Sequence, residues 1–477
     1  MKNIRKFETT AEMDNAVLED VRVSYVNEND KVYTAPENGG QGSIDYSTMY
    51  TTFEALEDGT FSFTKNGTGD DIQYSKDNGT TWTPLASGEN VSVVTGDKVM
   101  WKSAIKPNIG IGAFSSSNKF NVLGNIMSLS YGDEFKGQTS LEGKEYVFHS
   151  LFKKCDYLID TDSLILPATT LANRCYANMF SGCTNMTTAP ELPATTLANS
   201  CYQYMFNNCS GLTTAPSILP ATTLTKNCYD GMFIYCESLT TAPELPATTL
   251  TEYCYDGMFS GCKKLTKAPE LPATTLAEGC YSNMFQGCTS LLTSPSLPAT
   301  TLTDSCYYSM FKDCSGLTTA PELPATTLTN YCYYGMFYNC TGLTTAPELP
   351  ATTLAKYCYQ YMFVRCTSLA TAPELPATTL ADGCYETMFS GCTSLTTAPE
   401  LPATTLANYC YRFMFNGCKN LNHITMLATD ISADTCLSTW VKNVSSTGTF
   451  VKHPDMESLP TGTSGIPNGW TVENYQA

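Results

Sequence analysis

The chain has 477 residues, a formal net charge of −18 and a sequence pI of about 4.6. That length holds two or three domains and a large core. So acidic a surface excludes a general nucleic-acid binder, which needs Lys and Arg in excess. No run approaches the roughly 20 apolar residues of a membrane span, so no membrane insertion is expected. Only 15% of residues are charged, while Thr, Asn, Ser and Tyr are abundant, so the exterior must be largely polar and uncharged.

Residues 1–50 read as an N-terminal leader or attachment module. KFETTAEMDNAVLE is patterned as a short helix. VRVSYVNENDKVYTA alternates on both sides of an Asn-Glu-Asn-Asp turn and predicts a hairpin. ENGGQGS follows as a linker. The opening MKNIRKFETTAEMDN has basic residues but no apolar stretch behind them, so no secretory signal peptide is expected in this sequence.

Residues 51–125 predict a small β-rich, sandwich-like domain. TFSFT, DIQYS, TTWTP, NVSVV and KVMWK are strand-like runs separated by turns such as Asp58-Gly59, Asn78-Gly79 and Gly96-Asp97. Trp82 and Trp101 are read as core or half-buried strand aromatics in preference to ligand platforms.

From Leu166 to about Leu421 one 26-residue phrase recurs ten times; a clear copy, from Ala398 to Cys418, is APELPATTLANYCYRFMFNGC. A repeat of this length predicts a solenoid whose units bury their apolar faces against one another. Degraded copies extend it at both ends. In Phe135–Leu141, Gln138 stands at the cysteine position, and LFKKCDYL is a second imperfect copy. Cys436 and Trp440 echo the Cys and Phe block. The repeat region is therefore taken as residues 126–445 with atypical end caps, and residues 446–477 as a closing segment.

Within one copy Leu406, Cys410, Met414 and Cys418 lie four residues apart, which predicts a short helix with one apolar face. Thr404 or Thr405 would cap it, and Gly417 would end it in a left-handed conformation. Tyr235 and Arg365 replace Gly, Asn or Asp at that last position, so those two units are expected to close differently. LTTAPELPA is too Pro-rich for a helix and predicts a short extended segment, pairing in parallel between units over a narrow width. Leu395 and Leu401 should point inward. One extra residue near Ile218 predicts a bulge. The fold class is thus an α+β repeat: a leucine-rich-repeat solenoid of about twelve coils, with short parallel strands and short helices, behind a β-sandwich-like domain.

The 22 cysteines include ten pairs, from Cys175/Cys183 to Cys410/Cys418. In a helix eight residues span about 12 Å, whereas a disulfide needs roughly 4.4–6.8 Å between Cα atoms. Zinc sites usually show closer Cys pairs or added His, and the chain has three His. Buried free thiols are expected, with no cofactor.

The phrase GCTSLTTAPELPATTLANYCYRFMFNGC resembles the BspA-type leucine-rich repeat, in which a Gly-Cys-x-x-Leu-Thr block precedes a short strand and a Leu-Pro step. It departs from the common unit in being longer and in carrying a second cysteine. Such repeats are similar to those of bacterial cell-surface adhesins and of structural proteins in phages of gut Bacteroidetes. The N-terminal KFETTAEMDN…VRVSYVNENDKVYTA also resembles the leader of virion-attached proteins in those phages.

Comparison among the copies separates constant core columns from variable ones. The variable columns hold Tyr204, Tyr235, Tyr253, Tyr308, Tyr331, Tyr334, Tyr338, Tyr357, Tyr361, Tyr409 and Phe413 among small polar residues. Tyr with small polar neighbours is a paratope-like composition, so these are the candidate binding residues, balanced against simple lack of constraint. A column of Glu, including Glu322, Glu348, Glu374 and Glu400, is a weaker candidate for a shared divalent cation; splaying into solvent is the simpler outcome. No GxGxxG, P-loop or HExxH motif occurs, and no repeat places Cys near His, so no enzyme is expected. A glycan-processing activity would have to lie in the β-rich segment.

The resemblance then implies a non-enzymatic phage virion protein. Its N-terminal modules would hold other virion proteins and its solenoid a host surface protein or glycan. A bacterial cell-surface adhesin is the alternative location, and a homo-oligomer is possible in either.

Overall fold

The computed structural model describes residues 24–26, 32–34, 44–66, 72–103, 110–456 and 459–476. The chain divides into two units, Met1–Asp45 and Tyr46–Ala477. In the first, β1 (Ser24–Val26) and β2 (Val32–Thr34) pair antiparallel with Tyr25 opposite Tyr33, as the alternating pattern predicts. The expected N-terminal helix and the Gly-rich linker lie outside the described residues.

The second unit opens with eight strands. β3 (Thr51–Ala55), β5 (Ile72–Ser75), β6 (Thr83–Leu85), β8 (Lys98–Ser103) and β10 (Phe120–Asn125) share one sheet. β4 (Gly59–Lys65), β7 (Asn90–Val93) and β9 (Gly112–Ser116) form another. The sheets pack through Phe53, Phe61, Phe114 and Phe120, whose rings meet at 4.7–5.3 Å. Trp101 is fully buried in this cluster. Trp82 is half-buried, with Tyr50 at 4.8 Å and the Lys102 ammonium 4.3 Å over its ring. Neither Trp is a free platform.

The repeats contain no helix. A short α1 (Ser128–Tyr131) lies in the atypical first cap before the 26-residue copies, and in each copy the Cys-Tyr-x-x-Met-Phe-x-x-Cys block is a ribbon of overlapping turns. Apolar pairs recur every four residues: Cys175 and Tyr176, then Met179 and Phe180, then Cys183, all fully buried, with half-buried Asn178 and Gly182 between them and the small Ala177 and Ser181 buried beside them. The period is therefore 4.0. An α-helix drifts about 40° for every four residues, so three such pairs would not stay on one face. The chain resets instead by a left-handed residue at every fourth position: Arg174 (φ 53), Asn178 (φ 57) and Gly182 (φ 81).

Backbone hydrogen bonds follow the same alternation. Tyr176, Asn178, Phe180 and Gly182 donate N–H to carbonyls of the next unit, Cys201, Gln203, Met205 and Asn207, at 2.7–3.0 Å. Ala177, Met179, Ser181 and Cys183 donate back three residues within their own unit, at 3.0–3.2 Å. The Thr404/Thr405 cap is replaced by inter-unit pairing: the Thr404 carbonyl accepts from Thr429, and Thr405 bridges Asp430. Tyr235 (φ 59) and Arg365 (φ 58) keep the left-handed conformation, so their units close like the others. The Pro-rich stretch pairs mainly through single parallel bridges, such as Thr293↔Thr319 and Thr319↔Thr345, because proline supplies no amide hydrogen. At the extra residue Ile218 bridges Glu244.

Two aromatic ladders run through the core. Phe148, Tyr176, Tyr202 and their equivalents to Tyr411 stack at 5.5–6.2 Å. Phe152, Phe180, Phe206 and their equivalents to Phe415 stack at 5.3–5.8 Å. Each stacked pair adds about 0.5–1.5 kcal/mol beyond its buried area. The β-rich segment closes one end: Ile111 and Phe114 donate to Val147 and Leu151, and Phe114 stacks on Phe152. Two short strands, β11 (Leu158–Asp160) and β12 (Leu164–Ile165), join β10 in parallel. At the other end Trp440 lies against both Tyr411 and Phe415. There β13 (His423–Met426), β14 (Thr449–Lys452) and β15 (Thr471–Asn474) form a parallel sheet.

Phe259 stacks between Phe233 and Phe285 at 5.7 Å on each side. Phe259→Ala is expected to cost about 3–5 kcal/mol in denaturant unfolding. Exposed Thr248→Ala is expected to change stability by no more than about 0.5 kcal/mol.

Candidate functional site

The variable columns are the outward positions of the turn ribbon. Eight candidate residues occupy left-handed positions: Tyr204, Tyr235, Tyr253, Tyr331, Tyr357, Tyr361, Tyr409 and Phe413, with φ between 53° and 61°. Tyr308, Tyr334 and Tyr338 lie at the other outward positions. All are half-buried except Tyr235 and Tyr331, which are 51% and 38% exposed. The left-handed residues donate their N–H to the next unit, as Tyr331 does to Lys356 at 3.1 Å and Tyr409 to Asp434 at 3.0 Å. A helical face does not account for this column. The sequence signal for it was Gly or Asn recurring every fourth residue in some copies, as at Gly279, Asn283 and Gly287.

Several of these rings lie across the glycine that takes the same column one unit on. A Cβ on Gly231 would sit 2.2 Å from Tyr204 Cε1, and one on Gly279 would sit 2.3 Å from Tyr253 Cε1. Tyr235 and Tyr357 crowd Gly261 and Gly383 in the same way.

The structure gathers five candidates into one cluster. Tyr308 stacks on Tyr334 at 4.4 Å and Tyr331 on Tyr357 at 5.2 Å; Tyr331 and Tyr361 each approach Tyr334, at 6.0 and 5.3 Å. The Lys312 ammonium lies 5.3 Å over Tyr338. Tyr204, Tyr235 and Tyr253 stand in earlier units, apart from this cluster. Tyr409 and Phe413 flank the Arg412 guanidinium in a later one. The Tyr253 hydroxyl donates to Glu278 at 2.7 Å, and that bond with partial burial pushes its own proton loss up to about 12.

Sequence reasoning missed the polar residues beneath these rings. Glu386 is 1% exposed and accepts from Gln360 Nε2 at 2.8 Å and from Arg412 Nε at 2.8 Å. The partners lie one unit before and one unit after it, so the network appears only when units are stacked. Asp230, earlier on the same face, accepts from Gln203 Nε2 at 2.7 Å. Burial lifts its carboxyl to about 6, and the charge of Asp256 adds to the effect against the Gln203 and Tyr204 bonds.

The other candidates resolve simply. Glu322, Glu348, Glu374 and Glu400 are solvent-exposed. Among the described residues no group of three or more His, Cys, Asp or Glu is arranged to hold a metal ion. The cysteines are buried and free. The second of each pair donates Sγ–H to the Phe carbonyl one unit back, as Cys209 does to Phe180 at 3.0 Å and Cys314 to Phe285 at 3.0 Å. Burial pushes thiols such as Cys209 up to about 12, which keeps them protonated and unreactive.

Two measurements check this geometry. Gly279→Ala is expected to destabilise by about 1–3 kcal/mol, from left-handed strain and the clash with Tyr253. In a Tyr253→Ala background the clash disappears, so a double-mutant cycle should give coupling above about 0.5 kcal/mol. For Asp230, the folded chain holds a proton up to about pH 6, while the unfolded chain releases it near pH 4. Its contribution is therefore largest below about pH 4 and is lost as pH rises through 6. Asp230→Asn should gain stability over the parent across that window, read from denaturant midpoints.

No curated protein and no solved structure matches the chain. The model of the BspA type leucine rich repeat region (6 copies) matches residues 144–266, 226–370 and 337–450. These matches span the ladders and the left-handed columns, and the chain belongs to the BspA-type leucine-rich repeat family.

Proposed function

We propose that the repeats form a solenoid of about twelve coils that serves as a non-enzymatic, adhesin-like binding module, with the left-handed columns as its contact face. One observation carries this reading. A bulky residue at positive φ costs about 1–2 kcal/mol that Gly would avoid, yet Tyr or Phe stands there at Tyr204, Tyr235, Tyr253, Tyr331, Tyr357, Tyr361, Tyr409 and Phe413. Ser, Arg and Thr stand in these columns too, at Ser200, Arg365 and Thr387, so what points to contact is the recurrence of large aromatics there. Tyr supplies a large contact area with little rotamer entropy to lose, and Tyr331 with its stacked neighbours offers a compact aromatic anchor.

The partner on this reading is a host-surface protein or glycan. The resemblance of the N-terminal segment supports placing the protein on a phage particle, attached through residues 1–50 and the β-rich segment. The adhesin-like character of the family supports a bacterial cell surface as the alternative. Mass spectrometry of purified phage particles separates the two: finding the chain there supports the first, and its absence there with recovery from bacterial envelopes supports the second. No helix among the described residues is long and apolar enough to cross a membrane.

The strain argument makes a paired prediction. Tyr331→Asn should leave folding stability within about 1 kcal/mol of the parent, because relief of strain offsets lost stacking. The same change should weaken binding to host cells by at least about tenfold, the level of an anchor residue. Unfolding midpoints and cell-binding isotherms on the full chain measure both. Unchanged binding in Tyr331→Asn and in Tyr331→Asn/Tyr357→Asn would refute the contact face.

A further inference from the structure

Four basic residues of the repeats are neutralised by an acid one unit away. Lys226 meets Glu252 at 2.6 Å, Lys263 meets Glu237 at 2.7 Å, Lys356 meets Asp382 at 3.2 Å, and Arg412 meets Glu386. Others in the later repeats, among them Lys264, Lys267, Lys312 and Arg365, form no such pair among the described residues, and in the first units several unpaired cations stand close together. Lys153, Lys154 and Arg174 are exposed, and none forms an ion pair among the described residues. Their charges converge: both Lys153 and Arg174 act on half-buried His149, which burial and these two cations together hold below its usual proton affinity.

The cations are also pre-positioned. Lys154 is left-handed (φ 62), and its stem runs over Gly182 of the next unit, with Cγ 3.2 Å from where a Cβ would stand. The Arg174 guanidinium lies 5.9 Å over the Tyr146 ring. Lys153 and Lys154 border a groove that crosses three units and is otherwise lined chiefly by Asn178, Asn207 and Asn208. Arg174 borders a second groove beside it, lined by further Asn side chains. One acid lines each groove: Asp156, which accepts from Thr184 Oγ1 at 3.1 Å, stands with the two lysines in the first, and Glu145, which accepts from Asn173 at 3.2 Å, stands with Arg174 and Lys226 in the second.

Unpaired cations attract anionic groups and form strong charge-assisted bonds. Amides between them both donate and accept, which matches hydroxyl groups. A polymer bearing carboxylates or sulfates among many hydroxyls combines both needs. Nucleic acid fits less well: its phosphate charge is dense, and the groove of Lys153 and Lys154 has no ring on which a base would stack. We infer that the first repeat units form a subsite for an acidic polysaccharide. Its carboxylates or sulfates meet Lys153, Lys154 and Arg174, and its hydroxyls meet Asn178, Asn207 and Asn208. The inference rests on the left-handed columns being the contact face, but it uses none of the tyrosines proposed as anchors.

The test measures binding of the full chain to polygalacturonate, heparin, neutral dextran and duplex DNA at low and physiological salt. At least one acidic polysaccharide should bind, more weakly as salt rises, and dextran should not. Lys153→Ala/Lys154→Ala/Arg174→Ala should lower that affinity at least about tenfold, with an unchanged unfolding midpoint because all three side chains are exposed. Tyr331→Asn should leave polysaccharide affinity unchanged. The inference is overturned if neither acidic polysaccharide binds at low salt, if the triple variant binds as tightly as the parent, if dextran binds equally, or if DNA binds more tightly than either polysaccharide. Loss of the tyrosine effect on cells with retention of the polysaccharide result would remove the anchor reading alone.

Discussion

The repeats depend on an alternation in the backbone. Every second amide in the Cys-Tyr-x-x-Met-Phe-x-x-Cys ribbon closes a turn within its unit, and the amides between them reach across to the next unit. Buried amides and carbonyls are costly unless paired, and this division pairs them without helix or long strand. It works only if the chain is reset every fourth residue, which is why a left-handed conformation recurs at Arg174, Asn178, Gly182 and their equivalents. The outward residues answer to that requirement: Gly and Asn take it with least strain, while Ser, Arg, Thr and Tyr also stand there at its cost.

Packing follows from the same alternation. Inward pairs put Cys beside Tyr and Met beside Phe at identical heights in each unit, so rings stack on rings and each second thiol reaches a Phe carbonyl one unit back. An open ladder would leave an aromatic face bare at each end. The Phe114 ring with its β-sheet closes one end, and Trp440 closes the other by spanning both ladders. Trp440 Nε1 in turn donates to the Gly465 carbonyl at 2.9 Å, which ties the closing segment to the last rings.

Much of this was legible in the sequence. The 26-residue period, the inward Leu395 and Leu401, the free buried thiols and five strands of the β-rich segment were all readable from residue pattern. The helix was not there, because apolar residues at i, i+4 and i+8 look helical unless i+1 and i+5 are weighed with them. The paired inward positions Cys410-Tyr411 and Met414-Phe415 fix a period of four, which a helix does not sustain. Three strands carry a weaker signal: Thr51–Ala55 and Phe120–Asn125 are buried nearly throughout and lack a clear polar alternation, and Gly112–Ser116 has a single buried residue, Phe114. In the left-handed columns the tyrosines were visible as variable positions. Glu386, Gln360 and Arg412 were not, since residues 26 apart meet only through stacking.

Because hydrogen bonds and ring contacts join each unit to its immediate neighbours, the number of units is not fixed by any long-range contact. Loss or gain of one whole phrase would return every ladder to register, whereas a change of a few residues would break all of them at that point. A change in unit number would therefore alter the outward residues in whole-unit steps while leaving the interior the same.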